Sequence, residues 1–386
     1  MMSTTVNTKS DTDTPQRLMS LDILRGFDLA CLVLVQPILY VWLSILGPEE
    51  DSLGSKVMAQ ITHVPWEGFC FWDIIMPLFM FMSGITIPFA MSKYKMGKEQ
   101  VNRRFYIRIL WRFAVLWIVG AIIQGNLLAF DIRQLHLFSN TLQSIAVGYV
   151  VVTFLYIFTS FRTQLVVVSL LFIAYIAIFA IWGNMDFTID TNICEEIDRR
   201  VLGHFRDGVI WNGDSWTWDP TYHYTWIMSS LNFVVTVFFG YMAGCILRGN
   251  FSMLDKFVKL LIAGLVLIGV SLLMSPYIPI IKHIWSSSMT LFASGICFIL
   301  MALSYFIIDI KGWMRGLGWL KIYGMNSLVA YFLGEAVNFD SITNSFFHGF
   351  EQWMGDYYPV LLVTIQGIFI FIILKWMYRM KIFIKA

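Results

Sequence analysis

The stretch THVPWEGFCFWDIIMPLFMFMSGITIPFAMSK, residues 62–93, sets a histidine just before a long apolar run and a carboxylate inside it. From Phe69 to Met91 the only ionisable side chain besides a thiol is Asp73, and about 20 residues rising 1.5 Å each cross ~30 Å of hydrocarbon. Pro65 and Glu67 suit the first turn of that helix, so His63 is expected on its approach and Asp73 roughly 10 Å deeper than Trp66. An aspartate at the bilayer centre costs at least ~2.5 kcal/mol on insertion scales, which makes it a functional-site candidate with a partner. Helical spacing groups it with Pro77, Met80 and Gly84 on an inner face. A hydrogen-bond hub and a solvated loop histidine are the plainer readings. Their closeness favours a working pair, His63 and Asp73.

Composition sets the class. Of 386 residues 58% are hydrophobic and 13% charged, about half the ~25% charged share of a soluble domain. The chain reads as an all-α, polytopic transmembrane helical bundle. A net charge of +2, with basic residues spread by topology, gives no footprint for nucleic acid. Cys31, Cys70, Cys194, Cys245 and Cys297 lack metal or CxxC spacing, so neither a metal nor a disulfide framework is expected.

Residues 1–16 form a polar tail without the apolar core of a cleavable signal, and residues 17–386 read as one transmembrane domain. Ten apolar spans follow, at 27–46, 69–91, 106–124, 141–159, 164–182, 225–247, 257–274, 286–308, 321–337 and 358–377. The ninth is interrupted by Asn326, Glu335 and Asn338. With both termini inside, only Lys56, Arg133, Arg199, Arg200, Arg206 and Lys282 of the 27 lysines and arginines fall outside, as the positive-inside rule requires. His63 and Asp73 then face away from the cytoplasm. The outer loop 183–224 is acidic and aromatic, which suits a sugar or an interfacial cap with an aromatic belt. No Asn-x-Ser/Thr sequon falls outside, favouring a bacterial cytoplasmic membrane with the site facing the periplasm.

Two further helices carry polar stripes. Arg25 and Gln36 lie eleven residues apart, three turns and about 20° out of phase, so an unbroken helix puts them on one face. Ser327, Tyr331, Glu335 and Asn338 share a face of the ninth span, beside Asn326, and such a face needs polar partners. The turn 93–112 is dense in lysine and arginine, Arg103 and Arg104 among them, and with Lys311 and Arg315 it makes a basic rim suited to phosphates. His136, His204, His223, His283 and His348 fall in outer loops without a partner legible in the sequence.

The segments SLDILRGFDL, HVPWEGFCFWDIIMPLFMFMSG, LQSIAVGY, WDPTYHYTWIMSSL, KHIWSSSMTLFASG and KGWMRGLGWLKIYGMNSLVAYFLGE occur in an order that resembles the integral-membrane acetyltransferases related to heparan-alpha-glucosaminide N-acetyltransferase, a family with many bacterial members. The resemblance covers nearly the whole chain. It implies that His63 matches the catalytic histidine, Asp73 the acid that follows it and Asn326 the asparagine of the late GMN motif. It also implies transfer of acetyl from cytosolic acetyl-CoA to an amino sugar across the membrane. Gln36 stands where many members have asparagine, Ser144 follows Gln143 where arginine is common, and Thr221 and Tyr222 replace Glu-Gly after Asp-Pro. These departures bear on the acceptor.

The leading expectation is therefore acetyl transfer to a glycan, with His63 as base or acyl carrier and Asp73 orienting it. Arg25, Gln36, Arg103, Arg104, Lys311, Arg315, Asn326 and Ser327 are expected along the acetyl-CoA path, and Trp66, Glu67, Asp219, Glu335 and Asn338 around the acceptor. Membrane lipid and the glycan are the expected partners, and a homodimer is left open. A polysaccharide O-acetyltransferase, or a polar-solute transporter or flippase relaying through Asp73, Arg25 and Glu335, are the alternatives.

Overall fold

The computed structural model describes residues 18–97 and 99–384. The polar tail 1–16 lies outside the described residues, as do Arg17, Lys98 and Lys385.

Among the described residues, nine helical stretches are long and apolar enough to cross a membrane, and the chain is an integral membrane protein of the all-α polytopic class. In chain order the elements are α1 (Met19–Leu46), the short α2 (Leu53–Ile61), α3 (Phe71–Ala90), α4 (Arg103–Ile123), α5 (Thr141–Phe158) and α6 (Phe161–Ile181). There follow α7 (Ile193–Leu202) and the hairpin β1 (Val209–Trp211) and β2 (Trp216–Trp218). Then come α8 (Ser229–Arg248), α9 (Met253–Met274), α10 (Ser287–Ile310), α11 (Gly318–Met325), α12 (Ser327–Ala336), α13 (Phe339–Phe347) and α14 (Tyr358–Arg379). One end of the bundle carries the lysine- and arginine-rich turns and the other the long loop 183–224. They are called here the basic end and the loop end.

The centre is α3 against α8. A Cβ at Gly84 would stand 2.0 Å from the Val237 carbonyl oxygen, and one at Gly240 would stand 1.9 Å from that of Phe81. Only glycine permits this approach, which is how helices associate where lipid offers no hydrophobic drive.

Two spans differ from their sequence-based outline. The expected span 321–337 is two short helices, α11 and α12, broken at Asn326. Asn326 is fully buried, and its side chain serves backbone elsewhere: Nδ2 donates to Ile382 O at 3.0 Å and Oδ1 accepts from Ile384 N at 3.1 Å. Irregular backbone at this depth survives because protein covers it. α1 begins eight residues before the expected 27, since Asp22 and Asp28 are buried in the bundle and do not sit in water. It also contains a π-helical turn, Cys31–Val35. One extra residue there rotates everything beyond it by about 100°, so Arg25 and Gln36 do not share a face.

The loop 183–224 is a folded cap. Arg206 is buried and ion-paired with Glu195, while Asp198 accepts from the backbone N–H of Trp226 at 2.7 Å and Ile227 at 3.0 Å, tying α7 to the start of α8. Burial pushes the Asp198 carboxyl up to about 6.

Candidate functional site

The approach to α3 is irregular, and this corrects the expected geometry. Residues 62–70 form no helix, and Asp73 occupies the third position of a helical turn that begins at Phe71. Its Oδ2 accepts from the Cys70 backbone N–H at 3.2 Å, a capping bond, and the positive end of the helix favours its charge. Asp73 is thus at the mouth of the helix, not mid-span. The loop folds back so that His63 Nδ1 lies 2.8 Å from Asp73 Oδ1.

A second strand of chain completes the cluster. Glu67 and Ile281 form an antiparallel bridge, and Gly68 N donates to Ile280 O at 2.8 Å. Gly68 has φ +123, a conformation that a residue with a Cβ rarely adopts. This pairing carries Lys282 to the pair: Nζ is 3.0 Å from His63 Nδ1 and 3.3 Å from Asp73 Oδ1. Asp73 and Lys282 are buried, while 42% of the His63 side chain is open to the adjoining cavities.

The electrostatics follow from that packing. Burial lowers the His63 pKa; the hydrogen bond to Asp73 opposes this, and the Lys282 charge adds to it. Burial likewise lowers the Lys282 ammonium, with Asp73 opposing. His283, next in the chain, is pushed down to about 4 by burial and then by Lys282. With Nδ1–H donated to Asp73, Nε2 carries the lone pair, and the ring can accept a proton there.

Two cavities meet at His63, and another adjoins one of them. The first, about 570 Å³, is lined by Arg25, Arg112, Thr86, Ser327, Phe79 and Tyr331 among others. The second, about 250 Å³, contains His63, Lys282, Glu335, Tyr222, Tyr224 and Gln124. Phe79, Thr141 and Tyr331 belong to both walls, and the Phe79 and Tyr331 rings meet edge-on with centroids 6.4 Å apart. The third, about 330 Å³, shares Leu32, His63, Trp72 and Glu335 with the second and extends along Gln36, Pro37 and Gln366. Adjoining cavities, divided by Phe79, Thr141 and Tyr331, therefore lie between Arg25 and Arg112 on one side and the His63 ring on the other.

The residues singled out in the sequence divide accordingly. His63 and Glu335 meet in the second and third cavities, and Arg25 and Ser327 in the first. Gln36 lines the third cavity, beyond the π turn, and donates to Ile61 O at 3.3 Å. Asn326 holds the C-terminal stretch whose Ile384 lines the first cavity, and is not itself in that wall. Arg103, Arg104, Lys311 and Arg315 are exposed and stand outside the walls of these three cavities. Trp66 donates Nε1–H to Phe187 O at 2.9 Å and stacks on His283 at 5.5 Å, fixing the cap to the loop. Asp219 closes its own turn by accepting from Thr221 N at 2.8 Å, and Asn338 caps α13 through Ser341 N at 3.0 Å. Glu67 contributes its backbone to the bridge. None of these four lines the three cavities.

Lys282 and Arg112 are the residues that sequence reading missed. Lys282 lies in KHIWSSS, where a lysine among outer-side basic residues was the available signal. Arg112 sits one turn beyond Arg108 inside an apolar span, stacked on the Tyr149 ring at 3.7 Å, with its buried Nε unpartnered. A guanidinium held this way in a cavity wall is suited to an anion. Among the described residues no cluster has metal-ligand composition.

No family model matches the chain. It is similar to heparan-alpha-glucosaminide N-acetyltransferase of Homo sapiens, 23% identical over an alignment of 373 residues that takes in 82% of the chain. The chain spans about half, 52%, of that relative's length. What the residues and the comparison jointly establish is a polytopic helical membrane protein with a distant likeness to an N-acetyltransferase.

Proposed function

We propose that the protein is a transmembrane acetyltransferase that moves acetyl from acetyl-CoA, bound from the basic end, to a glucosamine-like amine held at the loop end. The observation that carries this reading is the pair of adjoining cavities, with Arg25 and Arg112 in one and, in the other, a histidine already paired with a carboxylate. Arg112, with a buried unpartnered Nε–H, suits a phosphate of the coenzyme. The thioester arm would pass the Phe79 and Tyr331 rings and bring its carbonyl to His63.

The step balances. The acceptor amine attacks the thioester carbonyl carbon, the new C–N bond replaces the C–S bond, and the coenzyme leaves as thiolate. His63 Nε2 takes the amine proton and returns it to the thiolate. Asp73 holds the ring through Nδ1–H and stabilises the imidazolium that forms. The N-in, C-in orientation from the lysine and arginine distribution would put the basic end in the cytoplasm.

The experiment uses the protein in proteoliposomes with acetyl-labelled acetyl-CoA and methyl glucosaminide. Label on the sugar amine, absent with His63→Ala, is expected. Wild-type protein that binds coenzyme A and labels no amine overturns the reading.

A further inference from the structure

We propose that Tyr331 is a gate between the coenzyme cavity and the acceptor cavity, latched shut by a chain of hydrogen bonds that ends under the cap, so that an acceptor in its own cavity admits the thioester. This rests on the acetyl-transfer reading and adds how its two substrates are brought together.

The first and second cavities share Phe79, Thr141 and Tyr331 in their walls, and the carbonyl of the donor has to pass them to reach His63. The three are not equally held. Phe79 and Thr141 belong to α3 and α5, helices with well-buried faces. Tyr331 belongs to α12, in which only Ala330 is buried, between the break at Asn326 and extended backbone at Val337. A short helix with so little buried surface is the element able to turn.

What holds it is polar. The Tyr331 hydroxyl accepts from Asn140 Nδ2 at 3.3 Å. Asn140 caps α5, its Oδ1 accepting from Leu142 N at 2.9 Å, which fixes the amide so that Nδ2 also donates to Gln124 Oε1 at 3.3 Å. Gln124, at the end of α4, passes the contact on, with Nε2 donating to Asp207 Oδ2 at 3.3 Å. Asp207 lies in the cap, where it accepts from the Tyr222 hydroxyl and faces His136 Nδ1 at 3.2 Å. Gln124 and Tyr222 line the second cavity. Groups that an acceptor would touch are therefore linked to the ring that closes off the first cavity.

The links from Asp207 to Tyr331 are longer than the usual N–H···O distance of about 2.9–3.0 Å, and a sugar hydroxyl, which both donates and accepts, competes well for them. Once Gln124 has turned to the sugar, the Asn140 amide loses a partner and its hold on Tyr331 weakens with it. The chemistry gives such a gate a purpose. A thioester beside a neutral imidazole and water is hydrolysed: water attacks the carbonyl carbon, C–O replaces C–S, and the water proton passes through His63 Nε2 to the thiolate. Withholding the carbonyl until an acceptor has displaced the water prevents that loss.

The test measures thiol release from acetyl-CoA, without acceptor, by the protein in lipid nanodiscs. It compares wild type with Tyr331→Phe, which removes only the hydroxyl, and with Gln124→Met, which alters the chain two hydrogen bonds away. At least tenfold faster release is expected in both variants, and its loss when His63→Ala is added. In a wild type that transfers acetyl to methyl glucosaminide, release at an unchanged rate in either variant overturns the gate. 3-Fluorotyrosine incorporated in place of Tyr331 gives a readout that needs no turnover, because its fluorine resonance should move in Gln124→Met. A moved resonance supports the latch even if the wild type transfers no acetyl, in which case the transfer reading alone fails. An unmoved resonance overturns the latch even if the wild type transfers acetyl.

Discussion

Lys282 Nζ stands 3.0 Å from His63 Nδ1, the nitrogen that also faces Asp73 Oδ1 at 2.8 Å. One ring nitrogen cannot donate to the carboxylate and accept from the ammonium at once. When Nδ1 carries its proton, the ammonium turns to Asp73 Oδ1 and Nε2 is basic. When Lys282 donates to Nδ1, Nε2 holds the proton and the base is lost. Its charge also disfavours the imidazolium. Since the neutral ring is the base and its pKa is lowered, transfer should rise with pH along a limb below the ordinary histidine value of about 6.5. Lys282→Met should move that limb to higher pH, and Lys282→Arg should largely restore it. A kcat/KM profile with the same limb in all three would remove Lys282 from the mechanism.

His63→Ala should lower transfer by about 10²- to 10⁴-fold, the usual range for a positioned base. Coenzyme A binding should persist, because Arg25 and Arg112 line a different cavity. Asp73→Asn should fold and lose most of the rate, since an amide can orient the ring without stabilising its charge. Isothermal titration beside turnover separates the two effects. Loss of binding in His63→Ala would mean that the cavities are not divided as described.

Arg112→Met should weaken coenzyme A binding by about 10- to 100-fold, corresponding to ~1.5–3 kcal/mol for a charge-assisted hydrogen bond. Arg104→Met, at an exposed position, should change affinity less and only at low salt. Equal effects of the two substitutions would return the phosphates to the rim.

Gly240→Ala should destabilise the bundle by ~1–3 kcal/mol or more, because the added Cβ would meet the Phe81 carbonyl oxygen at 1.9 Å. Thermal unfolding in detergent reads this directly. A melting temperature equal to wild type would show that α3 and α8 can part without cost.

A cysteine at Asp214, exposed in the cap, should react with an impermeant thiol reagent added outside cells, and one at Gly97 should not. The reverse pattern would invert the proposed orientation of the site.

The fold class was legible because apolar spans of membrane length leave few alternatives. Helix interiors were legible for the same reason, whereas the break at Asn326 depends on backbone of residues 382–384 that lies 56 or more positions away. His63 and Asp73 stood out because an ionisable residue beside an apolar run is rare. Their contact did not, since it needs residues 62–70 to abandon the helix. Lys282 reaches them across 219 residues through a two-residue bridge that leaves no periodicity to read. Spacing also assigned Arg25 and Gln36 to one stripe, and the π turn between them sends them to the walls of different cavities.

That π turn bears on how relatives of this chain can be compared. Insertions are ordinarily sought in loops, and a membrane helix is aligned without gaps. In α1 an additional residue is stored within Cys31–Val35, so a relative with a plain α-helical turn there would be one residue shorter while keeping both ends of the helix in place. Gap-free alignment of such a pair would match residues facing Arg25 correctly and mismatch every position from Gln36 onward by about a quarter of a turn. Substitutions at Gln36 would then look arbitrary when they had merely been paired with the wrong neighbour.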